Sequence, residues 1–214
     1  EAQVGVDHQL LGAQVTALLV SKGLSGVAGG RYFTNAINTR TQGADFVANY
    51  GVGVGSLGYL RLTGAYNTTE NRVTDVKPTP TVLSSQSEAL FGRVERGRIE
   101  VGQPRSNIMM SANLSRRGLD VTLRAQRFGE VVSRGTATDG TLDNTYGAKV
   151  ITDGSLSYTF PRQLRLTIGA DNLLDVYPDY NSSLTNNNGI FPYSGGSPFG
   201  FNGRYLYARL TVTR

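Results

Sequence analysis

The chain has 214 residues, 39% of them apolar, no cysteine and a formal charge of +5. Without thiols it has no disulfide framework and no thiolate metal site. Its 21 Lys and Arg are dispersed rather than blocked, which argues against nucleic acid, and no apolar run approaches the ~20 residues of a membrane-spanning helix. The 27 glycines, with many Ser, Thr and Asn, fit short strands and long loops.

In chain order, residues 1–40 read as a loop segment with one short helix. Gly12 to Lys22 places Val15, Leu18 and Leu19 at helical spacing and stops at Gly23, a C-cap signal. His8, the single histidine, has no His or Cys companion for a metal site or a triad and reads as a solvated loop residue.

Residues 41–214 carry seven segments with a side-chain period of two, the mark of strands with one apolar and one polar face. Thr41 to Val52 sets Ala44, Phe46, Ala48 and Tyr50 against Gly43, Asp45 and Asn49. Gly53 to Gly58 matches Gly-x-Gly-x-x-Gly, but a strand follows where a phosphate loop needs a helix, so it reads as a hairpin turn. Leu57 to Asn67 sets Leu60, Leu62 and Tyr66 against Arg61 and Thr63.

A long loop, Asn67 to Arg105, follows. Ser85 to Glu88 has capping-box spacing ahead of Ala89, Leu90, Phe91 and Val94, which predicts a second short helix. Arg93, Arg96, Arg98 and Arg105 sit among Glu95 and Glu100. Mixed signs fit a solvated loop, and the competing reading is an anionic-ligand contact.

Ser106 to Ser115 sets Ile108, Met110 and Leu114 against Asn107 and Asn113. Leu119 to Val131 opens with Leu119, Val121 and Leu123 against Asp120, Thr122 and Arg124. Ala148 to Phe160 groups Val150, Leu156, Tyr158 and Phe160. Gln163 to Asn172 is the cleanest: Leu164, Leu166, Ile168 and Ala170 oppose Arg165, Thr167, Gly169 and Asp171. Tyr205 to Thr213 sets Leu206, Ala208, Leu210 and Val212 against Tyr205, Tyr207 and Arg209.

Connections alternate in length. Gly53–Ser56, Arg116–Gly118 and Pro161–Arg162 are tight, whereas 67–105, 132–147 and 173–202 are long. Short turns at one end and long loops at the other, with two-faced strands, point to a membrane barrel with lipid outside and water inside. On that reading Arg61, Asn113, Arg124, Arg165 and Tyr207 line the lumen. Tyr32, Phe33, Phe191, Tyr193, Phe199 and Phe201 form an interfacial aromatic girdle or, alternatively, stack on a ligand. Asp171, Asp175 and Asp179 lack the dense oxygen spacing of a calcium loop, and turn capping suits Asn172 and Asp175 better. No nucleophile, base and orienting group form a constellation, so an enzyme is not expected.

Three segments carry a resemblance. Asn172-Leu173-Leu174-Asp175-Val176-Tyr177 is similar to the Asn-Leu-Phe-Asp-x-x-Tyr segment near the C-terminus of TonB-dependent outer-membrane receptors. Tyr32 to Asp45, with Asn38, Thr39, Thr41, Gly43 and Asp45, resembles a stretch entering a late barrel strand of that family. Gly203 to Leu210 looks like its closing strand. The three occur in family order and cover essentially 31–214.

The resemblance implies an all-β fold, the last part of a 22-stranded antiparallel transmembrane barrel with short helices in long extracellular loops. It assigns residues 1–40 to an extracellular loop and 41–214 to the C-terminal barrel strands and loops, without the plug. The implied function is energy-coupled uptake of a scarce nutrient: siderophore-iron, cobalamin or an oligosaccharide. The implied place is the outer membrane of a Gram-negative bacterium. The implied partners are outer-membrane lipid, the remaining strands and plug of the receptor, TonB acting through that plug, and the small nutrient, with no cofactor. Arg93, Arg96 and Tyr193 join the lumen residues as ligand-contact candidates.

The chain departs from the family by showing about seven strands, no plug or TonB box, and Thr213-Arg214 where a terminal aromatic is usual. Bacterial single-chain barrels use even strand counts. Unpaired edge groups in hydrocarbon cost several kcal/mol each. The expectation is a segment that works only inside a larger barrel. The rival is a soluble β-barrel or sandwich that binds a ligand, in which Leu164, Leu166, Ile168 and Leu210 are core and Arg165 is in bulk water.

Overall fold

A computed structural model of the chain describes residues 2–11, 13–27, 29–79, 81, 91–161, 164–186 and 188–212, with backbone alone at 2–11, 14 and 29–34. The chain is mostly antiparallel β-structure. Its strands are β1 (Ala2–Leu11), β2 (Gly29–Gly53), β3 (Tyr59–Val76), β4 (Ser106–Arg116), β5 (Leu119–Phe128), β6 (Val131–Ser133), β7 (Asn144–Tyr146), β8 (Lys149–Phe160), β9 (Leu164–Asp171) and β10 (Tyr205–Val212). Helix α1 spans Ala13–Ser21 and α2 spans Arg93–Glu100. The main sheet has eight strands in the order β1-β2-β3-β4-β5-β8-β9-β10, and β6 and β7 form a separate pair.

Seven of the eight main strands are those read from the sequence. β1 is an addition, and β2 begins at Gly29 rather than at 41. Residues 2–11 and 29–40 are thus strand where a loop was expected around the helix. Their pairing runs from Ala2 opposite Thr39 to Leu11 opposite Gly29, with one bulge at Val4/Gly5. The signal was missed because Asn35-Ala36-Ile37-Asn38-Thr39 has polar residues on both faces, which erases the period-two contrast. β3 likewise continues nine residues past the expected end, through Thr68 to Val76, where polar residues again fall on both faces. With eight strands in the main sheet, the odd-count argument for missing strands no longer applies. Among the described residues, no pairing joins β1 to β10.

Two compact units divide the chain. The first holds 1–42, 70–103 and 132–144. Its helix α1 ends at Gly23, whose φ of 82° permits a Schellman closure: Leu24 N–H donates to Leu19 O at 2.9 Å and Gly23 N–H to Val20 O at 3.0 Å. Ala36, Ile37 and Val73 form its core, with Phe91 and Ile99 packed on it. The expected capping box at Ser85–Glu88 lies outside the described residues. The helix that is described, α2, occupies Arg93–Glu100.

The second unit holds 43–69, 104–131 and 145–214. Its registers align like with like. Leu60, Leu114, Val121, Leu156, Ile168 and Ala208 stand opposite one another through six strands. Leu62, Ala112, Leu123, Gly154, Ala170 and Leu206 form the next row. A one-residue slip would turn every apolar side chain to the polar face, so the pattern holds the register. The tight turns behave as their chemistry dictates. Arg117 (φ 42°) and Gly118 (φ 85°) both take positive φ, the requirement of a type I′ hairpin. The Gly-rich stretch after β2 is a hairpin turn with a short 3₁₀ segment, Gly55–Leu57, closed by Val54 N–H to Gly58 O at 2.8 Å.

The apolar face of this unit has no second layer over it among the described residues. Ile168 is 51% exposed, Leu206 69% and Leu210 64%. A soluble sandwich requires that face to be its core.

Candidate functional site

The opposite face of the second unit is polar and cross-linked between strands. Asn113 donates to Thr122 Oγ1 at 2.8 Å, and Ser115 to Asp120 Oδ1 at 2.6 Å. Asp120 Oδ2 in turn pairs with Arg165 at 2.9 Å. Arg124 Nε donates to Asp153 Oδ2 at 2.8 Å. Ser157 and Thr167 hydroxyls meet at 2.8 Å. Nearer the start of the sheet, Thr63 donates to Asn49 at 2.8 Å and Asn67 to Asp45 at 2.6 Å.

The predicted lumen residues therefore share one face. Asn113, Arg124 and Arg165 are held by strand neighbours, while Arg61 is exposed opposite Asn113. Tyr207 lies across its partner Gly169: a Cβ there would meet the Tyr207 ring hydroxyl at 2.5 Å. An aromatic laid over a strand glycine restores the packing that the glycine lacks. The polar face of β5 was legible with Asp120 on it, but neither Asp120 nor Asp153 was recognised as the partner of these cations.

The Asn172–Tyr177 segment closes on itself at the end of β9. Asn172 (φ 50°) and Asp175 (φ 57°) take the left-handed conformation that Asn and Asp tolerate best. The Asn172 side chain accepts from Val176 N–H at 2.9 Å and donates to Val176 O at 2.8 Å. Leu173 N–H donates to Thr152 O at 2.6 Å, while Leu174 is 67% exposed. Asp175 accepts the Arg204 N–H at 2.8 Å, which brings the start of β10 back to the motif. Gly203 (φ 72°) packs beside Tyr177: a Cβ would collide with the Tyr177 hydroxyl and lie 2.8 Å from Asp175 Oδ1. Residues about thirty apart in sequence are thus joined at one loop base.

Above that base the rings gather. Tyr193 stacks on Tyr180 at 4.9 Å, on Tyr177 at 5.8 Å and on Phe201 at 6.4 Å between centroids. Hydrogen bonding to Tyr180, together with burial, pushes the Tyr193 phenol up to about 12. Asp179 accepts from Gly147 N–H at 2.7 Å and from Lys149, whose side chain holds its carboxyl below the usual range. Asp175 and Asp179 are thus engaged with protein groups. Among the described residues no three His, Asp or Glu gather as metal ligands.

Of the loop cations, Arg93, Arg96 and Arg98 lie in the first unit and Arg105 in the second. Arg93 grips Asp143 through two bonds of 2.6 Å, and also donates to Gly135 O at 2.9 Å. Arg96 reaches Glu100 at 3.2 Å, Arg98 reaches Glu95 at 3.7 Å, and Arg134 stands 3.8 Å from Glu100. Glu100 and Arg96 together satisfy the Val73 N–H (3.1 Å) and Val73 O (3.3 Å). That is a structural use of the group: it docks α2 on the backbone of β3. A cavity of about 330 Å³ between Val76, Phe91, Arg93, Arg96 and Arg134 remains. In the same unit Thr41 donates to Asn71 at 2.7 Å, Asn38 O accepts from Thr74 at 3.2 Å, and Thr39 is buried. Gly43, in the second unit, permits close approach of β3: a Cβ would lie 3.2 Å from Thr69 Cα.

No protein-family model matches the chain, and no curated protein matches it at a significant level.

Proposed function

We propose that the chain is the C-terminal barrel portion of a TonB-dependent outer-membrane receptor, taking part in energy-coupled uptake of a scarce nutrient. The observation that carries this reading is the two-faced sheet of the second unit. Apolar rows run in register across six strands, and Val121, Leu156 and Ile168 of one row and Leu62, Leu123 and Leu206 of the next are exposed, while the other face is wired by polar pairs. Lipid is the solvent that makes an uncovered apolar band favourable, and a hydrated lumen suits the polar face. Strand lengths of 10 to 12 residues in β4, β5 and β8 match the ~9–11 residues a tilted strand needs to span hydrocarbon. The closed loop base at Asn172, Asp175, Tyr177 and Gly203 supports the resemblance, because the motif residues meet in space. On this reading the long loops face outward, and the remaining strands and plug come from the rest of the receptor.

The chain has no cysteine, so single thiols introduced into it report one position each. Spin labels at Ile168→Cys and Leu210→Cys are expected to show lipid accessibility in membranes. Labels at Ser155→Cys and Thr122→Cys are expected to show water accessibility. Labels on the apolar face that are shielded from lipid, in a protein that stays in solution without detergent, would reject the barrel and favour the soluble binding module.

A further inference from the structure

The apolar face is not uniform. Between β2, β3, β4 and β5 it sinks into a hollow of about 430 Å³, lined by Tyr50, Leu62, Gly64, Met110, Ala112 and Leu123 among others. Gly64 leaves open space on β3: a Cβ built there meets nothing within 4 Å. Glycine inside a strand weakens it, and such positions often mark close approach of another group.

One step along the same face of β5 the apolar pattern breaks. Leu119, Val121, Leu123 and Ala125 are followed by Arg127, which pairs with Ile108 on β4 and Val150 on β8. Arg127 therefore stands on the apolar face, at the end of β5 away from the tight Arg117–Gly118 turn. Its side chain is half-buried and reaches Ser106 Oγ at 3.5 Å. Among the described residues no carboxylate ion-pairs with it. Every other arginine of β5 and β9 stands on the polar face.

We propose that this hollow seats one acyl chain of an anionic, phosphate-bearing membrane lipid, with the Arg127 guanidinium holding the phosphate. The proposal rests on the barrel reading, which puts this face in lipid. Leu62, Met110, Ala112 and Leu123 supply the apolar contact that an acyl chain requires. The guanidinium supplies charge where a headgroup arrives, and its planar donor fork matches phosphate oxygens. A cation at the boundary of an apolar band is stable when an anionic headgroup meets it there.

The test is native mass spectrometry of the intact protein extracted from membranes, with phosphatidylglycerol and phosphatidylcholine in competition. Wild type is expected to retain phosphatidylglycerol preferentially, by about fivefold for a single basic contact. Arg127→Gln is expected to abolish that preference, and Arg127→Lys to keep most of it. Gly64→Leu, whose Cβ meets nothing within 4 Å, puts a side chain into the hollow and is expected to reduce retention of both lipids. An unchanged preference in Arg127→Gln together with unchanged retention in Gly64→Leu overturns the proposal. So does a dimer that Gly64→Leu dissociates, because a second copy then occupies the hollow. These outcomes leave the barrel reading standing, whereas a protein that is soluble without detergent removes both.

Discussion

Arg124 and Asn172 share one carboxylate. Asp153 takes the Arg124 Nε–H on Oδ2 at 2.8 Å and the Asn172 backbone N–H on Oδ1 at 2.9 Å. A polar-face cation and the first residue of the Asn172–Tyr177 segment are thereby tied through β8. The link makes one of the charges predicted to line the passage part of the structure that ends β9.

Removing that carboxylate tests the link. Asp153→Ala strands a backbone donor and loosens Arg124. The pair is partly exposed, so a loss of about 1–2 kcal/mol is expected. Equilibrium unfolding of the folded protein in detergent measures it. Asp153→Asn, which keeps an acceptor for Asn172, is expected to lose less. Equal losses would show that the Asn172 bond contributes nothing.

The loop base is sensitive to a single methyl group. Gly203→Ala imposes a Cβ at φ 72°, against the Tyr177 hydroxyl and Asp175. Left-handed backbone alone costs roughly 1–2 kcal/mol with a side chain present, and the collision adds to it. Limited proteolysis should cut 172–204 faster in this variant. A cleavage pattern identical to wild type would mean that Gly203 does not close the loop.

The Arg93–Asp143 pair predicts a pH dependence. The Arg93 hydrogen bonds, then the Gly135 N–H, lower the Asp143 carboxyl to about 2 from an ordinary 3.8. A depressed carboxyl contributes stability that is fully present above the unfolded value and is lost as pH falls through the folded one. The contact should therefore hold from neutrality to about pH 4 and fail between about pH 4 and 2. Hydrogen exchange of 93–100, corrected for intrinsic rate, is the readout. Asp143→Asn should lower protection even at neutral pH, and an acid transition that persists unchanged in that variant assigns the effect to another group.

The apolar band offers the sharpest contrast between lipid and water. Leu210→Arg places a charge on a residue that is 64% exposed. In a bilayer this costs about 2–4 kcal/mol near the midplane. In water a substitution at such an exposed site stays within about 0.5 kcal/mol. Refolding equilibria in lipid vesicles distinguish the two, and a near-neutral change there contradicts the membrane assignment of this face.

Much of this protein was legible locally. The alternation of Leu164, Leu166, Ile168 and Ala170 with Arg165, Thr167 and Gly169 identified β9 and its two faces, because a strand's period of two is written into consecutive residues. The same rule found β10, β4 and the start of β5. The glycines and asparagine of the turns announced themselves through their tolerance of positive φ, as at Gly118 and Asn172. What the pattern did not reveal was structure with the same polarity on both faces. The first part of β2 and the last part of β3 belong to that class, since their pairing rests on backbone hydrogen bonds that any residue can make, whereas β1 was overlooked although Ala2, Val4 and Val6 alternate with Gln3, Gly5 and Asp7.

Tertiary structure alone decided the partners. Arg93 was visible as a loop cation, but Asp143 lies fifty residues away, and no local rule connects them. Asp153 became the partner of Arg124 only when strand register set them side by side, and Asp120 the partner of Arg165 only when sheet order let the arginine reach across β8. Arg127 sits on the apolar face by the same alternation that named its neighbours, yet its significance depends on the hollow beside it, which four strands build together. Period and turn chemistry are properties of adjacent residues, so the sequence by itself determined the two-faced strands of the second unit and their faces. Ion pairs, the loop base and the hollow are properties of residues brought together by folding, so the register and the chain's return paths decided them.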